Sequence, residues 1–260
     1  MREFFANKKA LSLTALAVAL VAALAYASTL AFFTDYDEVE NVFTMGNIKI
    51  GIEEPNWEDG DGLDLVPGSV REKDPTVTAH EGQSYMRVRM ELVDGANGAL
   101  ITDAERINLI LSTLFFDKAY GSANPTIAVN DVYSTQQLEA LVSAGKIYAE
   151  YNKDDFVFAG NEAGKPGVRY YNYKEIFDAA VPDIAVLFTN VVIPKEWSNE
   201  EICTLHGSSY EVLPNGTVEI TAPGSGYKII LKAEAIQAAE MPNAATAFAA
   251  LNEATGVVLA

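Results

Sequence analysis

The chain has 260 residues, with 18 basic against 36 acidic side chains, a formal charge of −18, and a single cysteine. So acidic a surface repels nucleic acid and anionic lipid, and a lone Cys203 excludes a disulfide within the chain, so stability must come from packing. With 49% hydrophobic residues the chain can bury one substantial core, and one domain is the expectation.

The sequence opens "MREFFANKKALSLTALAVALVAALAYASTLAFF", in which Arg2, Lys8 and Lys9 precede seventeen uncharged, mostly apolar residues from 11 to 27. That is the pattern of an N-terminal signal helix, since a permanent bilayer span needs roughly twenty apolar residues. Ala25 and Ala27 frame an A-x-A cleavage site before Ser28, and Ala31 ends a second one before Phe32. Retention as an uncleaved anchor is the competing reading. Without residues 1–27 the chain keeps 15 basic and 35 acidic groups, a formal charge of −20.

Directly behind the signal, "LAFFTDYDEVENVF" sets Phe32, Phe33, Tyr36 and Phe43 among four acidic side chains. From Asn47, "NIKIGIEEP" alternates Ile48, Ile50 and Ile52 with polar residues and predicts a half-buried strand. The Gly-, Asp- and Pro-rich stretch that follows contains Pro67-Gly68, suited to the centre of a type II turn. "SYMRVRMELV" alternates again, with Met86, Val88, Met90 and Leu92 expected inward and Arg87, Arg89 and Glu91 outward. Between Asp103 and Lys118 the spacing of Ile107, Ile110, Leu111, Leu114 and Phe115 predicts an amphipathic helix capped by Asp103. "STQQLEALVSAGK" predicts another, with Ser134 or Thr135 as cap and Gly145 as stop. Strand-like runs return in "DDFVFAG", "GVRYYNY", "LFTNVVIP", "GTVEITA" and "YKIILKAEAI", and "NAATAFAALNEATG" predicts a short Asn-capped helix. Strands at both ends enclosing helices in the middle imply a mainly β protein, an antiparallel sandwich with a partly helical insertion near residues 100 to 150.

Motifs for chemistry fail on inspection. His80-Glu81 begins an H-E-x-x-H pattern, but Ser84 stands where the second zinc ligand belongs, and "TAHEGQSY" reads as a loop; His206 lies far away in "CTLHGSSY", read as strand or loop. Counted from Asp59, "EDGDGLDL" puts Leu63 and Val70 where a calcium loop needs oxygen ligands. There is no G-x-S-x-G elbow, phosphate-binding loop or dinucleotide fingerprint. Cys203 reads as a small core filler. Asn215 in "NGT" is better read as an Asn-Gly turn than as a glycosylation site. The chain ends without a second apolar span and basic tail, so no wall-sorting signal is expected.

"TLAFFTDYDEVENVFTMGNIKIGI", "LVPGSVREKDPTV", "SYMRVRMEL" and, later, "YKIILKAEAIQA" together resemble the TasA and camelysin family of secreted bacterial proteins, over about residues 10 to 92 and 227 to 238. The resemblance implies a signal peptide of residues 1–31 cut by a SipW-type signal peptidase, a donor segment at 32–46, and a jelly-roll domain at 47–260 with an insertion at about 100–180. It further implies a secreted, non-enzymatic subunit that polymerises with itself, and with accessory matrix proteins, into biofilm-matrix or cell-surface fibres. Contact with the membrane is limited to the uncleaved signal, and no cofactor or metal is implied. In that picture Phe32, Phe33, Tyr36, Val39, Val42 and Phe43 fill pockets of the neighbouring subunit as an added strand. The residues themselves leave a second reading open, a short helix from Thr34-x-x-Asp37 that packs Tyr36, Val39 and Phe43 on its own domain. Camelysin-like members are described as surface metalloproteases, a label for which this sequence offers no zinc motif. Two further functions stay in view: a surface binding module presenting residues 100–180, with "VRYYNY" as its contact region, and a surface hydrolase.

Overall fold

Sequence alternation becomes layered sheet in the computed structural model, which describes residues 43–45, 48–55, 65–181 and 184–260. In chain order the strands are β1 (Phe43–Met45), β2 (Lys49–Glu53), β3 (Val70–Glu72), β4 (Thr76–Glu81) and the long β5 (Gln83–Asp94). Helix α1 (Ala104–Ser112), β6 (Leu114–Asp117), α2 (Thr135–Ser143) and β7 (Ile147–Ala149) follow. Then come β8 (Phe156–Glu162), β9 (Lys165–Tyr173), β10 (Phe177–Asp178), β11 (Ile184–Val186) and β12 (Asn190–Val192). Helix α3 (Asn199–His206), the hairpin β13 (Ser209–Val212) and β14 (Val218–Ala222), β15 (Tyr227–Gln237) and α4 (Ala244–Thr255) complete the description.

The main sheet runs β1-β15-β5-β9-β8, with β10 beside the start of β5, and every pairing is antiparallel except that of β1 with β15. Opposite it lie two smaller antiparallel sheets, β11-β4-β2 and β3-β12-β6-β7. None of the sheets closes on itself. The chain passes from one layer to the other at Gly82, whose φ of 73° a side chain would resist, so β4 belongs to one sheet and β5 to the next.

One core fills the space between the layers. Met86, Val88, Met90 and Leu92 from β5 meet Ile229, Leu231, Ala233 and Ala235 from β15, and across from them sit Ile50, Ile52, Val77, Ala79, Leu114 and Val191. Because strand side chains alternate, the next residues along point the other way. Phe115 and Val192 accordingly join Ile147, Ile127 and Leu138 in a second cluster beneath α2. On the far face of the main sheet Ile236, Ala247 and Leu251 form a third cluster under α4.

Several local expectations are met. Pro67-Gly68 turns the chain with Gly68 at φ 91° and Ser69 N–H donating to Val66 O at 2.9 Å. Ser134 and Gln137 form a reciprocal capping box, and Asp103 and Asn243 cap their helices through Arg106 N–H and Thr246 N–H. Asn215 accepts from Thr217 N–H inside the β13–β14 hairpin, so the turn reading holds. Others are corrected. The helix expected to reach Lys118 stops at Ser112, because Thr113 Oγ1 bonds back to Ile110 O and the bulky "LFF" continues as β6. "TAHEGQSY" is a strand and tight turn leading into a strand, since Ile50 pairs with Ala79 and Lys49 with Glu81. "NEEICTLH" is a helix, with Ser198 and Glu201 as its capping box and Gly207 at φ 71° as its end. Segment 100–180 contains α1 and α2 but also β9 and β8, which extend the main sheet directly from β5.

Candidate assembly interface

A sheet is most reactive at its edges, where unpaired N–H and C=O groups can receive another strand. At one edge of the main sheet β1 lies parallel to β15, with Phe43 opposite Glu234, Thr44 opposite Ala235 and Met45 opposite Ile236. Three residues of β1 thus meet an eleven-residue strand. Of the predicted donor residues, Phe43 opens β1; Phe32, Phe33, Tyr36, Val39 and Val42 lie outside the described residues, as do the cleavage residues Ala25, Ala27 and Ala31.

The opposite edge is β8, and there residues 258–260 run antiparallel to it. Ala163 N–H donates to Val258 O at 2.7 Å, Ala260 N–H donates to Asn161 O at 2.9 Å, and Glu162 and Leu259 form a bridge. Three residues after a glycine give no periodic signal, so nothing in the sequence marks this contact.

Between these edges, the face of β5 expected to meet solvent is covered. Arg87 is fully buried; its Nε donates to Glu234 at 2.6 Å, and its other nitrogens reach Asn252 and Thr255 on α4. Arg89 pairs with Glu91 and Glu162, and Lys232 reaches Glu91 at 2.9 Å. Tyr170 lies beneath both guanidiniums, 4.6 Å from that of Arg87, and burial pushes its hydroxyl up to about 12. The outward expectation fails for Arg87 because α4, about 160 residues later in the sequence, closes over it, and Arg89 and Glu91 are half-buried by their pairing with Glu162 and Lys232.

"VRYYNY" is not the contact surface expected of a binding module. Tyr170 and Tyr171 are fully buried because β9 is interior to the main sheet. Tyr171 and Arg169 both bond Glu150, which adopts φ 76°, a left-handed conformation that a Cβ-bearing residue holds only when its surroundings enforce it.

Two clefts lie in the second layer. One, of about 400 Å³, is lined by Glu72, Asp117, Tyr120, Ile127 and Asn190. Its Asp117 carboxylate shapes a loop, accepting from Ala119 N–H at 2.9 Å and Ile127 N–H at 2.8 Å, and the cleft's Tyr120 hydroxyl donates to Asp74. Burial, reinforced by the charge of Asp74, raises the Glu72 carboxyl. The other cleft, of about 480 Å³, is apolar at its base with Phe115, Leu138, Val142 and Trp197, and polar at its rim with Ser112, Thr135 and Glu139.

Among the described residues no three His, Cys, Asp or Glu side chains converge as metal ligands. His80 is exposed on β4, its Nε2 close over Gly51 of β2, where an added Cβ would stand 2.7 Å away. His206 is buried at the end of α3, and burial, with a lesser contribution from Arg106, lowers its pKa to about 4. Cys203 is buried on the same helix, where burial raises its thiol. No described helix is long and apolar enough to cross a membrane. Compared with known families and with curated proteins, the chain matches no family model and no curated sequence.

Proposed function

We propose that the protein is a secreted structural subunit, freed by a SipW-type signal peptidase, that joins head-to-tail into extracellular fibres by donating residues 32–42 to the main sheet of the next copy. The observation that carries this reading is the β1–β15 ladder. The chain immediately after the aromatic run already lies along a sheet edge, in register with a strand much longer than itself. In an accepting copy, an arm continuing the register of Phe43 with Glu234 would bring Val42 opposite Ala233, Val39 opposite Ile230 and Tyr36 opposite Tyr227. Main-chain hydrogen bonds would supply affinity, and Tyr36 and Val42, on the core side, specificity. The same bonds form whether the arm belongs to its own subunit or a neighbour, and an exchange that does not close on itself propagates a filament. Before cleavage the membrane-held arm cannot reach a partner.

In this reading the sandwich is a jelly-roll variant, supported by strands that pass repeatedly between its two layers. Electron microscopy of the secreted form and of a variant lacking residues 32–42 tests the reading. Fibres from the first and discrete particles from the second are expected; equal polymerisation of both overturns it. A second reading, a surface binding module, draws on the 480 Å³ cleft beside Trp197 and predicts discrete particles in both cases.

A further inference from the structure

We propose that the hairpin β13–β14 carries a docking face for the aromatic head of the arm, Phe32 and Phe33 of a neighbouring copy. The inference rests on the head-to-tail reading and names the surface on which that arm ends its path.

The hairpin has one apolar side and one polar side. Its register sets Tyr210 opposite Ile220 and Val212 opposite Val218, and residues paired across two strands share a face. The pair between them, Glu211 with Glu219, points the other way. Val212 is 51% exposed and Ile220 46%, Tyr210 and Val218 are half-buried, and among the described residues none of the four joins a core cluster. Strands β13 and β14 pair only with each other. A two-stranded ribbon is marginal in water, and like charges set directly across from one another weaken it further. Such a ribbon gains most from a partner that covers its apolar side.

The place of the hairpin says which partner. Only residues 223–226 separate β14 from β15, and they are fixed to their surroundings. Gly224 N–H donates to Ser208 Oγ at 2.9 Å, Gly226 N–H donates to His206 O at 3.1 Å, and Gly95 N–H donates to Gly226 O at 3.1 Å. The base of the hairpin is thereby held beside Tyr227, the first residue of β15. An arm in the register of Phe43 with Glu234 reaches Tyr227 with Tyr36. Residues 32–35 then pass beyond the start of β15 by about 13 Å of extended chain, on the side from which the hairpin projects. Their leading residues, Phe32, Phe33 and Thr34, are uncharged. In a molecule of formal charge −18, two aromatic rings and a face without carboxylates can meet where most surfaces repel.

The test uses the secreted form carrying Val212→Thr with Ile220→Thr, which keep the branched shape that suits a strand and remove apolar surface. Beside it stand Phe32→Ser with Phe33→Ser and the combination of all four changes. Sedimentation reads the lowest concentration that yields fibres, and exchange of the Leu213 amide, which donates to Thr217 O at 2.8 Å, reports on the hairpin itself. Each pair is expected to raise that concentration about tenfold, and the combination to raise it no further, because both pairs remove the same contact. Should Leu213 lose its protection in the threonine pair, Val212→Thr alone decides. Additive losses, or no rise from either pair while deletion of residues 32–42 abolishes fibres, overturn the docking and leave the head-to-tail reading standing. Fibres that survive that deletion overturn both. Self-association of the deleted form that the threonine pair weakens assigns the face to a second hairpin, and overturns the proposal as well.

Discussion

Strand β5 has two faces built on different physics. Inward, Met86, Val88, Met90 and Leu92 are held by the exclusion of water, and any side chain of similar shape and polarity would serve. Outward, Arg87 is as deeply enclosed and Arg89 and Glu91 are half-buried, and each requires a particular partner: Glu234 and the end of α4, Glu162, and Lys232. An apolar face tolerates exchange, whereas a buried ionic face fails when one member is removed and recovers when its partner goes too. Alternation along a strand therefore tells which residues share a face, and does not tell whether the polar face reaches water.

The sharpest way to break this contrast is Arg87→Ala, which leaves Glu234 charged and enclosed. A loss of about 3–5 kcal/mol in urea unfolding is expected, and the double replacement Arg87→Met with Glu234→Leu should recover most of it. If the double variant is no better than the single one, the two faces do not differ as argued.

Next comes a buried group kept neutral. Above pH 6.5 the His206 imidazole is uncharged both folded and unfolded; between 6.5 and about 4 the unfolded chain takes up a proton that the folded one excludes. Stability should fall by about 3 kcal/mol as pH drops through that window, with no further loss from this group below it. Urea midpoints measured across that range should flatten in His206→Gln. The smallest effect concerns the lid over the ionic face. Asn243→Ala removes the cap of α4 and should cost about 1 kcal/mol, read from the thermal midpoint.

The sequence made the inner layer legible because two-residue periodicity in "NIKIGI", "SYMRVRMEL" and "YKIILKAEAI" depends only on neighbours along the chain. Caps were legible for the same reason at Asp103, Ser134 and Asn243, and the Ser198, Glu201 and Gly207 pattern would have revealed α3 as well. The helical rhythm through Leu114 and Phe115 misled because the first residues of β6 happen to fall three and four places after Ile110 and Leu111. What the sequence could not disclose were encounters set by topology: Arg87 with Glu234, α4 over the ionic face, and residues 258–260 on β8. Of the proposed interface, residue types suggested the arm, and the sheet order adds only that Phe43–Met45 lie along β15.

The central ladder of the main sheet also sets a timetable. Every residue of β15 pairs with β5, and Arg87 finds Glu234 147 positions further along the chain. Closing so long a loop is entropically slow, and the β5 edge stays open to wrong pairings until residues 227–237 arrive. A chain that cannot finish early should refold slowly from denaturant, and under the proposed secreted role that delay would keep it threadable until export is complete.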